Sequence, residues 1–181
     1  MLKMFFRFAV LNDLAISRHL SRLLPLVLVG VLAACDQSPK GNLQQSASPL
    51  SDFTVYKREQ CGCCNDWITH IEKAGYSALQ ENVSDFDSIK DKFGIPAKLR
   101  SCHTSVSQKG YLFEGHIPAK FIRQFLEEKP VDAIGLAVPA MPTGSPGMEF
   151  GDMFMPYTIY LIQRDGSYSV YASVKTYKEQ F

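Results

Sequence analysis

Three of the four residues in the segment Cys61-Gly62-Cys63-Cys64 are cysteines. The residues before it, 53 to 57, alternate apolar with polar side chains and include β-branched and aromatic residues, which predicts a strand. After it, from residue 65 to 74, apolar residues recur at helical spacing until Gly75. The cysteines therefore lie where a strand turns into a helix. The unpaired N–H groups at that helix start favour thiolate over thiol, which suits redox exchange and soft-metal binding.

The following residues continue this alternation of strands and helices. Residues 77 to 83 are predicted to form a second strand, and Ser84-Asp85 cap a second helix that ends before the Gly94-Ile95-Pro96 segment. Two further strands, 105–108 and 111–116, precede a helix over residues 118–128 with one apolar face. The order β-α-β-α-β-β-α is that of the thioredoxin superfamily.

The last third of the chain adds elements beyond that order. Residues 134 to 149 are interrupted by glycine and proline and are predicted to form a loop. Residues 157–163 and 167–174 flank Arg164-Asp165-Gly166 as in a hairpin. The predicted fold is α/β and thioredoxin-like, with a mixed central sheet, flanking helices and an additional C-terminal β-hairpin.

Two histidines lie near the ends of the two predicted hairpin strands. If Lys109-Gly110 form a two-residue hairpin turn, the position numbers of paired residues sum to 219, and His103 lies opposite His116. Both imidazoles would then lie beside Cys102, at the open end of the hairpin. In a thioredoxin-like fold, the loop before this strand lies against the cysteine turn.

The N-terminal residues have the pattern of an export signal. Residues 1 to 22 contain four basic residues and one acid, and an uncharged apolar run ends in Ala33-Ala34-Cys35. This ending resembles the lipobox of bacterial lipoproteins, in which the cysteine is acylated. The predicted division is a signal peptide over 1–34, a polar tether over 35–51 and one metal-binding domain over 52–181.

The same segment predicts the location of the protein. The lipid on Cys35 would anchor the domain to a membrane on the periplasmic side. Asp36 resembles a signal that retains lipoproteins in the inner membrane. Without use of the lipobox, the domain would be soluble in the periplasm.

Composition excludes two classes of protein. The chain has 19 basic and 18 acidic residues, so it lacks the basic excess that nucleic-acid binding requires. Its 46% hydrophobic and 12% aromatic content is inconsistent with a fully disordered chain. We therefore expect a folded domain with no nucleic-acid partner.

The four cysteines after Cys35 admit two chemical interpretations. Cys61 and Cys64 have the spacing of a redox disulfide, which would make the protein a thiol–disulfide oxidoreductase. That interpretation leaves Cys63 and Cys102 without a task, whereas a metal site uses all four. Thiolates, imidazoles and thioethers suit a soft ion, so copper is favoured over zinc.

The resemblance to a known family is specific. Four segments look like the signature blocks of the CopG-type periplasmic copper-resistance proteins, in the family's order, and the resemblance runs from residue 53 to 174. The segments are Cys61-Gly-Cys-Cys64, Leu99-Arg-Ser-Cys-His103, Glu114-Gly-His-Ile-Pro118 and Gly135-Leu-Ala-Val-Pro-Ala-Met-Pro-Thr-Gly-Ser-Pro-Gly-Met-Glu149.

The resemblance implies a thioredoxin-like fold and a cysteine-bridged, multinuclear copper site that serves copper resistance. Copper ions would be the ligand, and other envelope copper-export or copper-oxidase proteins the partners. The implied ligands are Cys61, Cys63, Cys64, Cys102, His103 and His116. Met141 and Met148 are further thioether candidates, although methionines in apolar loops more often serve packing.

The residues leave open whether the site only binds Cu(I) or also interconverts Cu(I) and Cu(II). Both activities need the same ligands. In the second case the protein would be a copper oxidoreductase.

Overall fold

The computed structural model describes residues 51–181. The predicted signal peptide, Cys35, Asp36 and nearly all of the tether lie outside the described residues. Within 51–181, no helix is long and apolar enough to cross a membrane.

Ten principal elements follow one another in the described part of the chain. They are β1 (Phe53–Lys57), α1 (Gly62–Lys73), β2 (Ala78–Asn82), α2 (Phe86–Lys92), β3 (His103–Ser107), β4 (Leu112–Glu114), α3 (Ala119–Glu128), β5 (Ala133–Ala137), β6 (Tyr157–Gln163) and β7 (Tyr168–Val174). Short 3₁₀ helices at Ala97–Leu99 and Tyr177–Gln180 complete the described elements.

The seven described strands form one mixed sheet in the order β2-β1-β3-β4-β5-β6-β7. Strand β1 is parallel to β2, and β4 is parallel to β5, while the remaining neighbours are antiparallel. The predicted α/β class, with a mixed sheet and flanking helices, is confirmed.

The two faces of the sheet are covered differently. On one face, α1 and α3 pack on the strands around a large apolar cluster. Its fully buried members include Val55, Trp67, Phe113, Ile122 and Phe125. Helix α2 lies on the other face, where its Lys90 bonds to Thr104 and Glu114. Successive side chains of a strand point to opposite faces, so Glu114 points away from the cluster that contains Phe113.

Local sequence explains the starts of the first two helices. Cys61 is the N-cap of α1, so α1 begins three residues earlier than the predicted start at residue 65 and includes Cys63 and Cys64 in its first turn. At α2, the side chain of Asp85 accepts a hydrogen bond from the Ser88 backbone N–H. The predicted cap of α2 is therefore confirmed.

The loop prediction for residues 134–149 is wrong at its start. Strand β5 occupies Ala133–Ala137 and pairs with β4 on one side and β6 on the other. A short strand buried on both faces has no polar–apolar alternation, so periodicity does not reveal it. This strand links the first four strands to β6 and β7.

The predicted hairpin register is also wrong, by one residue. Thr104 pairs with Glu114, so paired positions sum to 218 and not to 219. The turn has three residues, since Ser107 N donates to Tyr111 O over 2.8 Å. His103 therefore lies opposite Gly115, whose N–H donates to the His103 carbonyl over 2.9 Å.

His116 nevertheless reaches His103, because the chain turns after β4. In a continued strand, His116 would share a face with Glu114, on the α2 side. Gly115 has a φ of 77°, and this left-handed conformation ends the strand and turns His116 to the other face. The two rings then lie 5.0 Å apart between centroids.

Candidate metal centre

The cysteine turn and the start of β3 meet at one edge of the sheet. The sulfur atoms of Cys61, Cys63, Cys64 and Cys102 all lie within 4.8 Å of one another. Cys61 and Cys64 form a disulfide with a Cα–Cα distance of 5.3 Å, and Cys63 Sγ lies 3.6 Å from Cys61 Sγ. Cys63 and Cys102 are free thiols.

Two imidazoles complete the arrangement around Cys102. Its sulfur lies 2.9 Å from His116 Nε2 and 3.3 Å from His103 Nδ1. The ligand atoms of these three residues again lie within 4.8 Å of one another. Cys102 thus belongs to both groups and connects the thiol cluster to the histidines.

The orientation of His116 is set by the loop after β5. His116 Nδ1 lies 2.8 Å from the carbonyl oxygen of Pro146, which can only accept a hydrogen bond, so Nδ1 carries the proton. In the neutral ring, Nε2 then presents a lone pair towards Cys102. A backbone carbonyl that orients the remote nitrogen in this way is common for metal-binding histidines.

His103 is held in a fully buried pocket. Its ring packs on Trp67, with a centroid distance of 4.4 Å, and Trp67 itself is fixed by a 2.9 Å bond from Nε1 to the Ile117 carbonyl. Within the described residues, His103 Nε2 is buried without a hydrogen-bond partner. The ring nitrogen that faces the cluster is Nδ1, which lies 3.3 Å from the Cys102 sulfur.

Burial determines the charge state of the cluster. It lowers the pKa of His103 well below the ordinary range, aided by the nearby His116, and it lowers the pKa of His116. Both rings are therefore neutral near pH 7, the form that ligates metals. Burial, followed by the negative charge of Cys63, raises the pKa of Cys102 to about 12. A cation bound at this sulfur would offset that cost, because metal ligation deprotonates thiols.

The cluster is open to solvent on the cysteine side. Cys61, Cys63 and Met141 line a cavity of about 990 Å³ with Arg58, Glu59, Asn82 and neighbouring residues. Met141 is 48% exposed. Met148 is half-buried and lines a separate depression with Phe150 and Met153. Only one of the two candidate methionines therefore lies at the mouth of the cysteine cavity.

Sequence reasoning missed the groups that support the cluster. The Pro146 carbonyl and the Trp67 ring were not assigned to it. Neither was the buried pair of Lys90 and Glu114 behind β3. The glycines and the proline in residues 144–147 predict a fixed backbone turn, and this was the sequence signal for the Pro146 contact. No sequence signal identified Lys90, which lies in a short, mostly polar helix.

Fold and site together define a class: an α/β domain that carries a cysteine and histidine cluster able to hold a metal ion. A family model described as "Protein of unknown function, DUF411" matches residues 99–148. No curated protein matches the chain.

Two solved structures are similar to this chain over most of their length. "Copper resistance protein copG- Form 1" is 40% identical, with a TM-score of 0.63, and the match covers 67% of this chain and 95% of that one. "Copper resistance protein copG- Form 2" is also 40% identical, with a TM-score of 0.64 and coverage of 67% and 96%. The chain belongs to the family of CopG copper-resistance proteins.

Proposed function

We propose that the protein is a periplasmic copper-binding protein of copper resistance, and that it holds Cu(I) in a cysteine-bridged, multinuclear site. The observation that carries this proposal is the convergence of four sulfur atoms and two neutral imidazoles at one edge of the sheet. The titles of the similar solved structures also support it. Copper is the cargo of this site.

The donor set favours copper over zinc. Thiolate sulfur and thioether are soft ligands and suit Cu(I). A single structural zinc ion takes four ligands at tetrahedral positions. Here Cys102 is close to both the thiols and the histidines, and Cys63 Sγ lies 3.6 Å from Cys61 Sγ, so single sulfurs are placed to bridge neighbouring ions. Met141, at the mouth of the cavity, is the more suitable thioether.

Full ligation requires the Cys61–Cys64 disulfide to be reduced. Two electrons from an external dithiol would convert it into two thiolates, and the dithiol would become a disulfide and release its two protons to solvent. Oxidation of the two thiolates by copper would then change the oxidation state of the metal: two thiolates and two Cu(II) ions give one disulfide and two Cu(I) ions. Copper oxidoreductase activity would follow from this couple.

A titration under nitrogen tests the binding proposal. Reduced protein is titrated with Cu(I) against the competing chelator bicinchoninate, and we expect more than one tightly bound ion per chain. Cys102→Ser should lose binding, because Cys102 joins both ligand groups. Met153→Leu is the matched control, since this exposed methionine lies outside both groups. Less than one tight Cu(I) per wild-type chain would refute the proposal.

The alternative function is a thiol–disulfide oxidoreductase. The disulfide between Cys61 and Cys64 at the start of α1 favours it. Insulin reduction without metal separates the two functions. An oxidoreductase would turn over and tolerate Cys102→Ser, whereas a copper-binding protein would show no metal-free turnover.

We also propose that β1 to β4 with α1 to α3 form a thioredoxin-like unit, to which β5 and the β6–β7 pair are added. The element order and the antiparallel orientation of β3 between β1 and β4 support this.

For location, we propose export by residues 1–34, acylation of Cys35 and inner-membrane retention through Asp36. Labelling with a radioactive fatty acid tests the anchor, and Cys35→Ser should abolish incorporation.

A further inference from the structure

A single buried carboxylate holds both sides of the Cys102–His103 segment. Glu114 Oε1 accepts a 2.6 Å hydrogen bond from the backbone N–H of Ser101, the residue before Cys102. Its Oε2 accepts a 2.6 Å bond from the hydroxyl of Thr104, the residue after His103. The two candidate ligands are therefore bracketed by bonds to one side chain.

Helix α2 completes this arrangement from the far side of the sheet. Lys90 Nζ forms an ion pair with Glu114 and donates to Thr104 Oγ1 over 3.1 Å. The ammonium also lies 4.2 Å from the centroid of the Phe86 ring. Lys90 is 2% exposed and Glu114 is fully buried. The three side chains form a closed network, in which each polar group has a partner.

Stability alone is a poor explanation for this network. Desolvation of two charges offsets most of their attraction, and apolar residues of similar volume often stabilise a fold equally well or better. Fully satisfied polar networks instead restrict a segment to one conformation. The segment restricted here is the one that carries Cys102 and His103.

The network also fixes the third ligand candidate. Glu114 is the last residue of β4, and Gly115 N donates to the His103 carbonyl over 2.9 Å. His116 follows directly. The carboxylate thus ties the start of β3 to the end of β4, where both imidazoles meet the Cys102 sulfur.

We propose that Glu114 is a positioning residue of the metal site, which places Cys102, His103 and His116 for ligation through its bonds to Ser101 and Thr104. This inference rests on the proposed copper-binding function. Glu114 itself lies on the α2 side of the sheet and does not touch the metal. The network keeps the ligand atoms together before the ion arrives, so less ordering is needed on binding.

The test uses Thr104→Val and Thr104→Ser. Valine has nearly the shape of threonine but lacks the hydroxyl that donates to Glu114, whereas serine keeps it. Cu(I) affinity is measured for reduced protein under nitrogen with bicinchoninate as the competitor. We expect Thr104→Val to bind Cu(I) about tenfold more weakly. A hydrogen bond to a charged group favours the ordered conformation by at least that factor, and the ion must restore this order when the bond is absent. Thr104→Ser should bind as the wild type does.

A stability control separates positioning from general weakening. Ile159→Val removes a buried methylene from β6, two strands away from β4, and lowers stability without removing any polar group of the network. We expect it to leave Cu(I) affinity and the number of sulfur ligands, read by X-ray absorption at the copper edge, unchanged. Thr104→Val should lower the sulfur count. The double variant Lys90→Met/Glu114→Leu, which leaves no unpaired buried charge, should also bind Cu(I) more weakly.

Three results would overturn the inference: wild-type affinity in Thr104→Val, equal weakening in Thr104→Ser, or equal weakening in Ile159→Val. Each would show that the hydroxyl–carboxylate bond does not position the ligands. Wild-type protein that binds no Cu(I) would instead refute the proposed function, and this inference with it. Tight wild-type binding with an unaffected Thr104→Val refutes the inference alone.

Discussion

The close approach of Gly147 to helix α1 gives the sharpest test of how the site is built. A Cβ at this position would lie 2.6 Å from the Cys63 carbonyl oxygen and 2.6 Å from the Trp67 nitrogen, both of which are backbone atoms. Gly147 also has a φ of 83°. Gly147→Ala should therefore push the loop away from the cysteine turn.

Gly110 provides a matched control for this substitution. It has the same φ of 83°, but a Cβ there would meet nothing within 4 Å. The left-handed conformation costs an alanine about 1–2 kcal/mol at either position. Overpacking against fixed backbone adds about 1–3 kcal/mol at Gly147 alone. We expect Gly147→Ala to lower the free energy of unfolding by about 1–3 kcal/mol more than Gly110→Ala does.

Urea unfolding, followed by tryptophan fluorescence, measures this difference. Trp67 is the single tryptophan, is fully buried and lies directly under Gly147, so its emission reports the relevant packing. Equal losses in the two variants would refute the steric argument. Gly147→Ala should also weaken Cu(I) binding, because it displaces the adjacent Pro146 carbonyl that orients His116. Gly110→Ala should leave Cu(I) binding unchanged.

Three further predictions concern the site. Reduction should release two additional thiols per chain from the Cys61–Cys64 disulfide, and an unchanged Ellman titration would contradict the pairing. The pKa values of His103 and His116 are lowered from 6.5 by burial, so the unfolded chain binds more protons and stability should fall as pH drops below about 6.5. Urea midpoints at pH 7.5, 6.0 and 5.0 check this, and a flat profile would be inconsistent with it. Trp67→Phe removes a buried hydrogen bond and should cost about 1–3 kcal/mol by far-UV circular dichroism, whereas an unchanged midpoint would argue against that bond.

Much of the first half of the fold follows from local sequence signals. The strand at residues 53–57 was predicted with the bounds that the structure has, because one of its faces is buried and its side chains alternate. The Asp85 cap marked the start of α2, since its carboxylate bonds to a backbone N–H only three residues away. Signals of this kind depend on neighbours in sequence and need no tertiary information.

Errors arose where contacts between distant segments decided the structure. Strand β5 is buried on both faces, and its sequence predicts a loop because glycine and proline interrupt the segment. It is a strand because it pairs with β4 and β6. The hairpin between β3 and β4 has a three-residue turn, which shifted the predicted register by one. The predicted proximity of His103 and His116 was nevertheless confirmed, but through the turn at Gly115 and not through cross-strand pairing.

The sequence by itself determined which donor atoms the candidate site contains. The chain has three cysteines at a helix start, a fourth cysteine beside a histidine, and a second histidine. Together they form a donor set that suits a soft metal ion, because donor identity is a property of residue type. The tertiary structure alone decided how these donors are held. The Pro146 carbonyl on His116, the Trp67 ring on His103 and the Glu114 carboxylate on the Ser101 N–H come from other elements of the fold. Only burial in a shared core brings such groups into contact and shifts the pKa values of the candidate ligands.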